Sequence, residues 1–176
     1  MSVPDSQLNP ADLARNVLKY YLEEGRLPEL PDPLPPELES RAGAFVSLKK
    51  GGRLRGCIGT VRPVKGNLAE EIAANTISTA INDPRFPPVS LEELPDISFS
   101  VDVLGPMERI KREDQLDPKE YGIMVRCGLR SGLLLPDLDG IDTVDEQVRI
   151  ARQKAAISPS EKVELYRFKV TRYGKK

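Results

Sequence analysis

The chain has 176 residues, and its 26 basic and 27 acidic side chains leave a formal net charge of −1. This length fits one domain with a sizeable core. The balanced charge gives no electrostatic case for binding nucleic acid or an acidic membrane surface, and no apolar run approaches the ~20 residues that span a bilayer. We therefore predict neither a nucleic acid nor a membrane as a partner.

The sequence contains no histidine and two cysteines. The lack of histidine excludes Ser-His-Asp and Cys-His catalysis and the histidine-containing zinc and haem sites. Cys57 and Cys127 lie in different chemical surroundings and lack CxxC spacing, so they indicate no disulfide framework. We therefore expect a reducing, cytoplasmic location. We predict no metal site and no cofactor.

The first predicted element is a helix over about residues 10–25. Asn9 can cap this helix, Pro10 suits its first turn, and Gly25 is a typical stop at its C-terminal end. Five prolines between residues 28 and 36 then indicate an extended connector.

A β-hairpin follows, with its turn near Gly51 and Gly52 and with Cys57 on its second strand. Asn67 can cap a helix over about residues 68–81. Alternating apolar residues over about 97–104 then indicate a further strand.

The second half of the chain repeats this plan. A shift of 76 positions carries residues 45–81 onto residues 121–157, and it aligns glycines, helix caps and helix ends; Gly56 falls on Gly132 in this alignment. A strand is predicted at about residues 163–171. The sequence thus predicts two β-β-α-β repeats.

We place the repeats at about residues 44–104 and 121–172, within one α+β domain that covers residues 1–176. They are expected to form one continuous, mostly antiparallel sheet with covering helices. Each repeat alone is too small to bury a core, so we expect a single cooperative unfolding transition.

Residues 54–60, which read LRGCIGT, are the most informative segment. On a strand, alternation puts Arg55 and Cys57 on one face and Gly56 on the other. Nearby positive charge favours the thiolate, and the glycines leave room for a ligand. The alternative is a cysteine that serves only as a small buried apolar residue. The second repeat has Leu133 at the position of Cys57, and this asymmetry favours a functional face in the first repeat.

Residues 83–88, which read DPRFPP, form a second notable segment. Three prolines make it a rigid loop, which is a purely structural interpretation. The functional interpretation uses Arg85 as a planar clamp for an anion, with Asp83 to orient it or to act as an acid or base.

Residues 54–60 and 83–88, together with residues 132–136 and 140–148, resemble the shared runs of the AMMECR family, which is named for a human chromosomal region linked to Alport syndrome, midface hypoplasia and elliptocytosis. The similarity covers roughly residues 10–172. The resemblance implies a repeated α+β unit around one barrel-like sheet, but it names no reaction. Prokaryotic members are often encoded beside a Memo-like protein and a radical-SAM protein, which implies a shared pathway.

Two functional hypotheses follow. In the first, the protein is an enzyme that acts on a small anionic substrate, with Cys57 as a nucleophile or a redox thiol and with Asp83 or Glu70 to transfer protons. The predicted substrate-binding residues are Arg55, Gly56, Gly59, Thr60 and Arg85. In the second hypothesis, the same face belongs to a non-catalytic module that binds a ligand or a partner protein.

Overall fold

The computed structural model describes residues 8–174. Its helices are α1 (Pro10–Glu24), α2 (Pro36–Glu39), α3 (Leu68–Ile81) and α4 (Val144–Lys154), and two 3₁₀ helices span Leu91–Asp96 and Glu113–Gln115. Its strands are β1 (Ala44–Lys50), β2 (Arg53–Gly59), β3 (Ile97–Leu104), β4 (Glu108–Ile110), β5 (Gly122–Cys127), β6 (Arg130–Leu134), β7 (Glu164–Phe168) and β8 (Val170–Gly174). No helix within residues 8–174 is long and apolar enough to cross a membrane.

The described chain divides into two compact units. The first runs to Val103 and resumes at Thr171, and its sheet has the strand order β2-β1-β3-β8. The second runs from Leu104 to Val170, with the strand order β4-β7-β5-β6. Each unit has its own apolar core, to which α1, α3, β1 and β3 contribute in the first unit and α4, β5 and β6 in the second.

The helix boundaries follow the predicted capping residues. The Asn9 side chain accepts hydrogen bonds from the backbone N–H groups of Ala11 and Asp12, and Gly25 ends α1 with φ 71°. Asn67 caps α3, and Thr143 forms a capping box with Glu146 at the start of α4. The predicted caps Asn9 and Asn67 are confirmed, because a cap satisfies the helix's own unpaired N–H groups and needs no distant partner.

The predicted continuous, barrel-like sheet is wrong. The chain has two separate antiparallel four-stranded sheets and no closed barrel among its described residues. The outer side of β3 is taken by β8, and the outer side of β7 is taken by β4. The predicted strand over 163–171 is broken at Lys169, so that its two parts enter different sheets.

Both units contain strands and a helix in the order β-β-α-β, and in both the first strand lies between the other two. This order alone does not establish a duplication, so the repeat stays a prediction. The single domain over residues 1–176 and the single unfolding transition also stay predictions, and residues 1–7 and 175–176 lie outside the described residues.

The two glycines aligned by the 76-residue shift both face a helix backbone at very short range. A Cβ built on Gly56 would lie 2.7 Å from the carbonyl oxygen of Thr79 in α3, and a Cβ on Gly132 would collide with the carbonyl oxygen of Ala151 in α4. A helix backbone thus closely approaches both positions, and each helix can pack against its strand only because no side chain intervenes.

We expect Gly56→Val to destabilise the protein by roughly 1–3 kcal/mol, because the new side chain must push α3 away from β2. Cys57→Ser is the matched control on the next residue and should cost clearly less. Thermal melts of the two variants test this. Equal losses of stability would show that the close approach at Gly56 does not limit packing.

Candidate functional site

Cys57 lies on β2, which is the outer strand of the first sheet. Its pairing partner across β1 is Ser47, and the Ser47 hydroxyl donates a hydrogen bond to the Cys57 sulfur with an Oγ–Sγ distance of 3.2 Å. The neighbouring β1 residues Val46 and Leu48 are fully buried on the opposite face of the sheet. Cys57 itself is partly exposed. The thiol therefore lies on the face turned away from the apolar core.

The alternation assumed for β2 breaks at Arg55. Leu48 of β1 pairs with Gly56 and Lys49 pairs with Leu54, so Arg55 is an extra residue in the ladder, as in a β-bulge. A bulge reorients the side chains on its two sides. Alternation along β2 therefore no longer fixes the face of Arg55 relative to that of Cys57, and their placement on one face stays a prediction.

The Arg55 side chain is instead bound within the protein. Its guanidinium pairs with Glu93 through two hydrogen bonds of 3.2 and 2.8 Å and donates to the carbonyl oxygen of Pro87 at 2.9 Å. Lys50 also bonds Glu93 at 3.1 Å. The hydrogen bonds from Arg55, and then from Lys50, lower the pKa of Glu93 to about 2. Arg55 thus fastens the segment after α3 to the β-hairpin.

Asp83 and Arg85 bind the backbone of Cys57 from the outer side of β2. The backbone N–H of Cys57 donates to Asp83 Oδ2 at 2.9 Å, and Arg85 Nη2 donates to the Cys57 carbonyl oxygen at 3.2 Å. Arg85 also holds Asp83 through bonds of 2.9 and 2.7 Å. The Asp83 side chain is 2% exposed, whereas that of Arg85 is 54% exposed.

The Arg85 guanidinium holds the pKa of the Asp83 carboxyl well below its usual range. Asp83 is therefore ionised at neutral pH, and all of its described contacts hold the loop and the strand together. A catalytic acid or base works best with a pKa near the operating pH. The geometry favours a role for Asp83 in orienting Arg85 over the predicted role in proton transfer.

The remaining predicted residues have structural contacts as well. The Phe45 ring lies across Gly59, where a Cβ would collide with it. The Thr60 hydroxyl donates to the buried carboxylate of Glu71 at 2.5 Å and accepts from Asn75 at 3.2 Å. Glu70 bonds the backbone N–H of Gly66 at 3.1 Å, at the start of α3. The structure thus brings Cys57 and Arg85 together, and it uses these other side chains to shape the surrounding loops.

Sequence reasoning missed two features of this region. One is a polar stripe on α3, in which Glu71, Asn75 and Thr79 are buried at four-residue spacing and bond the end of β2 and the loop after it. The four-residue spacing of these polar side chains was the available signal. The other feature is the contact of Ser47 with Cys57, which a strand sequence alone does not signal. No group of three or more Cys, Asp or Glu side chains within residues 8–174 is placed to hold a metal ion.

The lowered pKa of Glu93 predicts a pH dependence of stability. An acid whose folded-state pKa is depressed stabilises the fold above its unfolded-state pKa, near 4.5 for Glu93, and loses this effect as the pH falls towards about 2. We expect Glu93→Gln to melt below the wild type at pH 7, and this difference to shrink between about pH 4.5 and about pH 2. Glu37→Gln, at an exposed position on α2, is the control. A pH-independent difference for Glu93→Gln would contradict the prediction.

The sequence and the fold of this chain are similar to those of known proteins. The AMMECR1 family model matches residues 11–173. A Thermotoga maritima protein is 53% identical over 91% of this chain and 94% of its own length, and a Clostridium acetobutylicum protein is 51% identical over 92% of this chain but only 35% of its own length. The crystal structure of the uncharacterized protein PH0010 from Pyrococcus horikoshii superposes with a TM-score of 0.86 at 34% identity, covering 95% of this chain and 90% of that one. The chain therefore belongs to the AMMECR1 family.

Proposed function

We propose that this chain acts on a small anionic substrate at the outer edge of β2, with Cys57 as the reacting group and Arg85 as the cation that binds the anion. One observation carries the proposal. Arg85 lies against Cys57, with its Nη2 atom 3.2 Å from the Cys57 carbonyl oxygen, while more than half of its side chain is exposed. Within residues 8–174, its Nη1 atom donates to no acceptor, so a planar donor group remains available beside the thiol.

The charge of the surrounding cluster supports an anionic ligand. Lys50, Arg55 and Arg85 face the two carboxylates Glu93 and Asp83, which leaves one net positive charge. Arg55 contributes to this charge, but its guanidinium is held by Glu93 and by Pro87. The sequence predicted that Arg55 and Arg85 both bind the substrate. In this proposal Arg85 alone binds the anion.

The contacts of the neighbouring carboxylates favour a reaction in which the Cys57 thiol acts without a general acid or base. Asp83 is fixed as an anion by Arg85, and Glu70 bonds the backbone at the start of α3. Asp83 is thus committed to its ion pair, Glu70 is engaged at the turn before α3, and the chain has no histidine that could serve as a general base. The reacting group is thus Cys57 as its thiolate, which is the nucleophilic form of cysteine.

The same lack of a general base favours one second candidate, a non-catalytic module that binds an anionic ligand or a partner protein at this edge. Under either candidate, the family resemblance suggests a place in a cytoplasmic pathway with Memo-like and radical-SAM proteins. The two candidates differ in the reactivity of Cys57. If the protein is an enzyme, Cys57 should react faster than an ordinary thiol. If it is a binding module, the site needs only affinity for anions, and Cys57 needs no raised reactivity.

Alkylation kinetics test the proposal. Iodoacetate carries a negative charge and iodoacetamide is neutral, and peptide mass spectrometry measures the rate at Cys57 separately from that at Cys127. We expect Cys57 to react faster than a small free thiol at the same pH. We also expect Arg85→Gln to lower the preference of Cys57 for iodoacetate over iodoacetamide by about three- to tenfold, because a nearby charge is lost.

Arg53→Gln is the matched control, since it removes one positive charge from an exposed position on the same strand. Arg85→Lys keeps the charge and should retain most of the preference for iodoacetate. An unchanged preference in Arg85→Gln would overturn the assignment of Arg85. A Cys57 that prefers iodoacetate but reacts no faster than the small thiol would favour the binding module over the enzyme.

A further inference from the structure

We propose that Ser47 is a positioning residue for the Cys57 thiolate, in that its hydroxyl donates the hydrogen bond that holds the sulfur in its charged form. This inference rests on the proposed function, because it deepens the role of Cys57 at that site. The observation is the contact of the Ser47 hydroxyl with Cys57, with an Oγ–Sγ distance of 3.2 Å and the serine as donor.

The sheet register fixes this contact. Ser47 and Cys57 are direct partners in the antiparallel pairing of β1 with β2. Directly opposite residues have Cβ atoms about 4.5–5.5 Å apart and point to the same face. On its other side Ser47 pairs with Ser100 of β3. The position of the hydroxyl is therefore set by the backbone of three paired strands and does not depend on a mobile loop.

Arg85 and Ser47 contact Cys57 from different sides. Arg85 approaches through the outer, backbone edge of β2, where it bonds the Cys57 carbonyl oxygen. Ser47 approaches from the inner neighbour, β1, and points its donor at the sulfur itself. A hydrogen bond to the charged form of a group favours that form. In a chain without histidine, a serine hydroxyl can thus supply the directed donor that imidazolium supplies in many thiol enzymes.

The pH dependence of Cys57 alkylation by neutral iodoacetamide tests this role. We expect Ser47→Ala to raise the midpoint of the rate profile by about one pH unit, the effect of losing one hydrogen bond to a charged group. Ser47→Thr keeps the hydroxyl and should restore the midpoint of the wild type. The profile of Cys127 in the same samples is the internal reference and should not move.

Ser100→Ala is the matched control, because it removes a hydroxyl from the other neighbour of Ser47 in the sheet. A role of Ser47 in packing alone would change the melting temperature but not the midpoint at Cys57. An unchanged midpoint in Ser47→Ala, or an equal shift in Ser100→Ala, would overturn the inference. The iodoacetate preference in Arg85→Gln is a separate readout, so failure of the proposed function and failure of this inference can be told apart.

Discussion

The ion pair of Asp83 with Arg85 binds both backbone polar groups of Cys57, and the candidate site depends on this contact. One member accepts from the Cys57 N–H and the other donates to its carbonyl oxygen. The pair thus occupies the place that a further strand would take at the edge of the sheet, where unpaired backbone groups otherwise invite association. Because the same pair is part of the loop after α3, it also fixes the distance between that loop and the thiol.

The extra residue in β2 explains why two arginines of similar appearance have different roles. Arg55 is the bulged residue, and it binds Glu93, which follows it by 38 residues in the chain. Arg85 lies beyond the strand edge, and more than half of its side chain is exposed. Alternation along a strand predicts faces only while the ladder is uninterrupted, and a bulge leaves no trace in the apolar pattern. The sequence could therefore identify the segment but could not decide which arginine is accessible.

The fold was predictable from the sequence where the determining contacts are local. Asn9 and Asn67 cap their helices through backbone groups within the first turn, so α1 and α3 were predicted close to their true limits. The pairing of sheet edges is set by distant residues. Nothing around Lys169 signals that the strand before it pairs with β4 and β5 while the strand after it pairs with β3. For this reason, the alternation of apolar and polar residues could not reveal that the strands form two separate sheets.

The two cysteines show how much of the site's chemistry lies in such contacts. Cys127 donates a hydrogen bond to Glu161 at 3.6 Å and accepts one at 3.8 Å from Arg130, whose charge is already paired with that same carboxylate. The Cys57 sulfur accepts a hydrogen bond from the neutral hydroxyl of Ser47, and the backbone N–H of Cys57 donates to the carboxylate of Asp83. The Cys127 sulfur thus lies beside an ion pair of a carboxylate and a guanidinium, whereas the Cys57 sulfur lies beside a neutral hydroxyl. The composition of the chain does not distinguish the two residues, but the donors and acceptors around them differ, and this difference is consistent with the proposed role of Cys57.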